Sequence, residues 1–244
     1  MPKVLVIIPA YNEEAAILGT VADLRAHCPD ADCIVVNDCS RDRTRAILQE
    51  HGIPYLDLPL NLGIGGGVQT GYRYALAHDY DIAVQFDGDG QHQAAYLRPL
   101  IQPILDGAAD MTIGSRFIPR EGEDKGFQSS ALRRAGINML SALIRLVTGQ
   151  TLQDVTSGFR ACGRDLIALF AEHYAQDYPE PEAIVTATVS GYRVREVPVL
   201  MNERQGGVSS IRALKSVFYM VKVSLAIVLA GLRLSSRKEL KRHA

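Results

Sequence analysis

Short apolar runs alternate with longer amphipathic stretches through the first half of the chain. Lys3–Ile8, Cys33–Val36, Ile82–Phe86 and Met111–Gly114 are rich in Val and Ile and are bounded by turn residues, which predicts buried strands. Between them Glu13–His27, Arg43–His51 and Val68–His78 have helical length and spacing. The alternation predicts an α/β fold, a mainly parallel sheet flanked by helices. Ligands of such sheets bind outside the carboxyl ends of the strands. Three polar clusters fall at those ends: Tyr11-Asn12-Glu13, Asn37-Asp38 and Asp87-Gly88-Asp89.

The second half is less regular. Arg120–Ser130 is polar and reads as a loop; a helix follows over Ala131–Thr148, with Gly149 as its stop. Val194–Leu200 reads as one more strand. Ile211–Leu232 is strongly apolar yet carries Arg212, Lys215 and Lys222. At about 100° per residue, Lys215, Lys222 and Arg233 fall on one line of a helix, with Leu214, Val217, Val221, Leu225, Val228 and Leu232 opposite. The uninterrupted run Val223–Leu232 is shorter than the roughly 20 residues that span a bilayer. The pattern therefore predicts a C-terminal amphipathic helix at a membrane surface, followed by a basic tail. Packing on the domain or on another subunit stays open. The expected division is an α/β domain over 1–210 and a membrane-associating segment over 211–244.

Composition narrows the picture further. With 244 residues and 47% hydrophobic content the chain can bury a large core. A net charge of −1 gives no basic field, so no nucleic-acid partner is expected. Cys28, Cys33, Cys39 and Cys162 have no zinc-like spacing and read as reduced thiols. Met1-Pro2-Lys3 runs straight into a strand with no signal-peptide pattern, so a cytoplasmic protein on the inner face of the membrane is expected.

Asp87 and Asp89 carry the clearest chemistry. Residues i and i+2 of an extended segment point the same way, so both carboxylates can face one site, and Gly88 lets the backbone turn closely there. Two hard oxygen ligands with open positions suit Mg²⁺ or Mn²⁺, with substrate phosphates completing the shell. By contrast, Gly63-Ile64-Gly65-Gly66-Gly67 lies outside the first βα turn and lacks the Gly-Lys-Ser/Thr of a P-loop. Close backbone packing at a helix start is its expected role, with helix-terminus NH groups near a nucleotide as the alternative.

Taken together, the ordered clusters resemble glycosyltransferase family two, with the GT-A fold, in the branch of dolichyl-phosphate mannose synthases and bacterial polyprenyl-phosphate sugar transferases. The resemblance rests on Pro9-Ala10-Tyr11-Asn12-Glu13, Asn37-Asp38-Cys39-Ser40 with Asp42 and Thr44, and Asn61-Leu62-Gly63. It continues through Asp87-Gly88-Asp89-Gly90-Gln91-His92, Gly114-Ser115-Arg116-Phe117, Asp154-Val155-Thr156-Ser157-Gly158-Phe159-Arg160, and Arg204 with Gly207 and Ser209. It implies an inverting, metal-dependent enzyme that moves a sugar from a nucleotide donor to polyprenyl phosphate at the cytoplasmic membrane face. Pro9, Tyr11, Glu13, Asp38, Asp87 and Gly88 would then frame the nucleotide sugar. Asp89, Gln91 and Asp87 would hold the metal, acting as a Lewis acid on the leaving diphosphate. Arg116 and Arg204 are the candidate catalytic phosphate binders, and Arg133, Arg134 and Ser209 would receive the acceptor phosphate. Asp154 is the candidate base or acceptor-positioning group. His92 reads either as a group supporting the site or as an ordinary turn histidine. Absence of the transmembrane helix pair that many bacterial members carry leaves a place for a separate small membrane subunit, and a homo-oligomer is compatible with the sequence. Two other readings stay open: transfer to a saccharide hydroxyl of a lipid-linked or surface glycan, and a non-catalytic nucleotide-sugar-binding or scaffold subunit. A processive polysaccharide synthase does not fit, because the Gln-x-x-Arg-Trp motif needs a tryptophan and the chain has none.

Overall fold

The computed structural model describes residues 2–119, 131–202 and 221–232. Seven strands form one sheet: β1 (Val4–Ala10), β2 (Asp32–Asn37), β3 (Tyr55–Asp57), β4 (Ile82–Gln85), β5 (Met111–Ser115), β6 (Arg160–Gly163) and β7 (Val194–Pro198). Their order is β3-β2-β1-β4-β6-β5-β7. Every pairing is parallel except those of β6, which runs antiparallel to both β4 and β5. The reversal has a functional consequence. It delivers the segment before β6, residues 154–159, to the same sheet edge as the carboxyl ends of the six other strands.

Helices cover both faces. α1 (Ile17–His27), α2 (Thr44–Glu50) and α4 (Leu97–Leu105) pack on one side, and α3 (Gly63–Ala77), α5 (Ala131–Thr148), α6 (Arg164–Glu172) and α7 (Pro179–Val189) on the other. β1 is buried throughout, with Val4, Val6 and Ile8 in one core and Leu5 and Ile7 in the other. A strand covered on both faces reads as a continuous apolar run, which is how the sequence presents it.

The expected strands lie within two residues of those observed, and Ala131–Thr148 is helical as expected. Two helix starts differ. α1 begins at Ile17 rather than Glu13, because the backbone NH groups of Asn12, Glu13 and Glu14 are held by Ser40, Thr44 and Asp42 across the neighbouring loop. α3 begins at Gly63 rather than Val68. Its low-propensity glycine turn is stabilised by tertiary contact: Gly65 lies so close to the backbone of Ala175 and Gln176 that no Cβ fits. The sequence pattern missed β3, β6, α4, α6 and α7. α4 contains Pro103, and α7 opens at Pro179, where proline is tolerated in a first turn.

The expected loop at 120–130 lies outside the described residues. Of the C-terminal segment, residues 221–232 are helical. Val223 and Ile227 enter the core that includes α5, and Gly231 packs against Val147. Val221, Leu225, Val228, Leu229 and Leu232 are exposed. Lys222 Nζ sits 2.8 Å from Asp177 Oδ2 and over the ring of Tyr178. Lys215, Arg233 and the basic tail fall outside the described residues. No described helix is long and apolar enough to cross a membrane.

Candidate active site

The carboxyl ends of β1 and β2 lead into two loops that are tied together. Asn12 N donates to Ser40 Oγ at 3.0 Å, and Arg41 N donates to Asn12 Oδ1 at 2.8 Å. Glu13 N donates to Thr44 Oγ1, Glu14 N to Asp42 Oδ2, and Arg43 N to Glu14 Oε2. Asp42 Oδ1 also accepts from the backbone NH and hydroxyl of Thr44. Asn12 (φ 57°) and Cys39 (φ 58°) are both left-handed. Non-glycine residues rarely adopt that region, and the cross-loop bonds hold them there. Asn12, Glu13, Glu14, Arg41 and Asp42 line an open cleft at this edge. Tyr11 is exposed beside it, Glu13 is half-buried, and Pro9 is buried at the strand end.

Asp38 is buried at the next strand end. Its Oδ1 accepts from Leu62 N at 2.6 Å and its Oδ2 from Gly63 N at 2.9 Å, so one carboxylate caps the start of α3. The glycine run is therefore a packed helix start anchored by a nucleotide-site candidate. Asn61 Nδ2 donates to Asp38 O, closing the loop further.

β4 ends in the acidic pair. Asp89 is buried, and its Oδ1 accepts from Gln91 N at 3.0 Å. Gly88 lies against the carbonyl of Pro9, where a Cβ would stand 3.1 Å from the oxygen, so these two candidates touch. Asp87 is half-buried. Its Oδ1 accepts from Gln85 Nε2 at 3.3 Å, and its Oδ2 is 3.1 Å from His92 Nε2. Burial by itself raises the Asp87 pKa, but His92, Gln85 and Arg160 outweigh it and hold the carboxyl below its ordinary range. On Glu180 burial wins over Arg160, and its pKa is raised. Asp87, Asp89 and Gln91 offer hard oxygen donors suited to a divalent cation. Among the described residues no group of three or more His, Cys, Asp or Glu converges on a metal position. The donor set thus fits a cation that substrate phosphates help to coordinate, rather than a cage built from protein alone.

The other side of the edge is basic. Arg116, just after β5, is buried against a fully buried Asp154. The pair is bidentate, with Arg116 Nε to Asp154 Oδ2 and Nη2 to Oδ1 both at 2.7 Å, and Arg116 N also donates to Oδ2. Nη2 donates further to Thr156 Oγ1. Glu196 on β7 holds the Asp154 loop by accepting from the backbone NH groups of Gln153 and Asp154 at 2.8 and 2.7 Å. Arg134 on α5 stacks 3.7 Å above the Phe117 ring, and the Arg116 guanidinium lies 5.5 Å from the same ring. Arg134 Nη1 is buried with no hydrogen-bond acceptor. Arg133 precedes it in α5, its side chain outside the described residues; Arg204 and Ser209 also fall outside the described residues. Nothing in sequence spacing pointed to Phe117 as the shared platform, or to Gln85 and Glu196 as supports.

A model of glycosyl transferase family 2 matches residues 5–170. The undecaprenyl-phosphate mannosyltransferase of Micrococcus luteus is 32% identical over 219 residues, covering 86% of this chain and 87% of that protein. The UDP-N-acetylglucosamine–dolichyl-phosphate N-acetylglucosaminyltransferase of Methanococcus voltae is 31% identical over 216 residues, covering 80% and 84%. Among solved structures, glucosyl-3-phosphoglycerate synthase from Mycobacterium tuberculosis, in complex with Mn²⁺, UDP and glucosyl-3-phosphoglycerate, superimposes with a TM-score of 0.67 at 21% identity. That match covers 94% of this chain and 80% of the other.

Proposed function

The chain belongs to glycosyl transferase family 2, and from that premise we propose that it moves a sugar, with inversion, from a nucleotide-sugar donor to polyprenyl phosphate at a membrane surface. The observation that carries the acceptor class is the pair of guanidinium groups around Phe117. Arg116 is locked by Asp154, and Arg134 is stacked with a buried NH and no acceptor for it. Such an arrangement suits a phosphate, whose oxygens accept from guanidinium forks.

The chemistry agrees with an anionic acceptor. A saccharide hydroxyl needs a general base to become a nucleophile. Asp154 is fully buried with both oxygens on Arg116, so its geometry supports positioning of Arg116 rather than proton transfer. A phosphate monoester has a second pKa of about 6 and needs no base at neutral pH. Its oxygen attacks the anomeric carbon, the bond from that carbon to the donor diphosphate breaks, and the nucleoside diphosphate leaves. Asp89, Asp87 and Gln91 would hold Mg²⁺ or Mn²⁺, which when bound supplies Lewis-acid neutralisation of the leaving diphosphate. Tyr11, Glu13 and the loop capped by Asp38 would frame the nucleotide.

Lipid access has its own support. Residues 221–232 turn Val221, Leu225, Val228, Leu229 and Leu232 outward while Val223 and Ile227 anchor them to the body. An anchored helix with an exposed apolar face suits the interfacial layer of a bilayer, with the protein peripheral on the cytoplasmic side. The relatives named for polyprenyl-linked phosphates support the same acceptor. The test is label transfer from a panel of UDP-, GDP- and dTDP-sugars with Mn²⁺, offering polyprenyl phosphate and a lipid-linked saccharide side by side. Label in polyprenyl phosphate sugar is expected. Label only in the saccharide product would favour a hydroxyl acceptor, and donor binding without transfer would favour a binding subunit.

A further inference from the structure

His92 is buried, packed against two aromatic rings that also touch each other, and in contact with one of the two acidic residues of the site. Its ring stacks on Phe159 (centroids 5.0 Å, 25°) and meets Phe86 edge-on (5.3 Å, 70°). Nε2 stands 3.1 Å from Asp87 Oδ2, within ion-pair reach though off the line of a hydrogen bond. Nδ1 is buried without a hydrogen-bond partner, so the nitrogen beside Asp87 is the one with a polar neighbour.

The remaining surroundings of Asp87 show a carboxylate held from behind. Gln85 Nε2 donates to Oδ1, and Tyr174 OH donates to Gln85 Oε1 at 3.4 Å, which fixes which way the Gln85 amide faces. Gly158 supplies the room: a Cβ there would collide with Oδ2. Phe159 and Arg160 follow directly, and Arg160 pairs with Gln85 in the sheet register. The segment before β6 therefore forms a back wall for the end of β4. The ring of His92 clamps the two together, since it touches Asp87 on one side and Phe159 on the other.

We infer that His92 is a positioning residue, holding the Asp87 carboxylate in the orientation that faces donor and metal. The inference rests on the proposed donor site in one respect, that Asp87 faces a bound metal–nucleotide. Outer groups that orient a ligating carboxylate typically contribute about 10- to 100-fold to metal affinity.

Two substitutions separate this role from core packing. His92→Phe keeps an aromatic ring against Phe86 and Phe159 but removes the NH. His92→Gln gives up the ring but places an amide NH at similar reach. Mn²⁺ binding would be followed by the electron-spin resonance of free Mn²⁺, in the presence of UDP and separately of GDP, with thermal unfolding on the same samples and Asp89→Asn as control. Positioning predicts a crossed order. His92→Phe should bind Mn²⁺ at least about tenfold more weakly than wild type while melting close to it. His92→Gln should recover most of the affinity while melting lower. A packing role predicts the reverse, with His92→Phe binding Mn²⁺ like wild type, and that result overturns the inference while leaving the donor site intact. If Asp89→Asn binds Mn²⁺ as wild type does, or if wild type binds none with either nucleotide, the donor-site reading itself fails and the role of His92 falls with it.

Discussion

The two sides of the sheet edge are built differently. On the β1, β2 and β4 side the acidic and turn residues are held by polar contacts within and between the loops. Asp38 is held on both oxygens, Asp87 is approached on both, and Asn12 to Glu14 are fixed to Ser40 to Thr44. On the β5 side one interaction dominates, the buried Arg116–Asp154 pair, and Arg134 is held by an aromatic face. The first side suits a rigid, hydrogen-bonding ligand such as a nucleotide. The second presents charge on flat surfaces, which suits a phosphate at the end of a flexible lipid. Preorganised polar groups lower the reorganisation needed during reaction, and a stacked guanidinium presents a planar fork of donors that matches phosphate oxygens.

The contrast is most severely strained by breaking the single strong pair. Asp154→Asn keeps the shape but leaves a buried guanidinium without its counter-charge, and a loss of about 3–5 kcal/mol in unfolding free energy is expected from urea titration. A change within about 1 kcal/mol would mean that the pair is not a structural anchor. Asp89→Ala comes next. Transfer should fall by a hundredfold or more, about 2.7 kcal/mol, with the fold retained. Retention of more than about a tenth of wild-type kcat with unchanged metal dependence would contradict the metal role. Gly158→Ala probes the close fit behind Asp87. Overpacking should cost about 1–3 kcal/mol of stability, with weakened nucleotide binding, and an unchanged nucleotide affinity would show that the wall does not set the carboxylate. Smallest is Leu225→Ala on the exposed helical face, where a loss of about 1 kcal/mol in partition to anionic liposomes is expected, read by flotation. Equal flotation would assign that face to a protein contact.

Legibility in the sequence follows the same division. Asp87-Gly88-Asp89 and the tied loops announce themselves because strand end, acidic residue and turn are contiguous, and the strands between them are short Val- and Ile-rich runs. The role of Asp38 as a helix cap was hidden, since its partners are Leu62 and Gly63 and α3 was expected to start five residues later. Helix propensity disfavours that glycine turn, and close packing on Ala175 and Gln176 overrides it. The Arg116–Asp154 pair spans 38 residues and depends on the reversed strand β6, which no periodicity revealed. Arg116 and Asp154 were both legible as site residues, but as separate actors. Phe117, which brings Arg116 and Arg134 to one place, carries no signal beyond its position in a motif.

The division into a donor side and an acceptor side is tested most directly by one preparation, Arg134→Ala, with nucleotide affinity and acceptor KM measured on the same sample. In the proposed site the donor would be held by the β1, β2 and β4 loops, so nucleotide Kd should stay within about twofold. The KM for polyprenyl phosphate should rise at least about tenfold, as expected for loss of a charge-assisted phosphate contact. A tenfold weaker nucleotide Kd with an unchanged acceptor KM would contradict the account and place Arg134 on the donor.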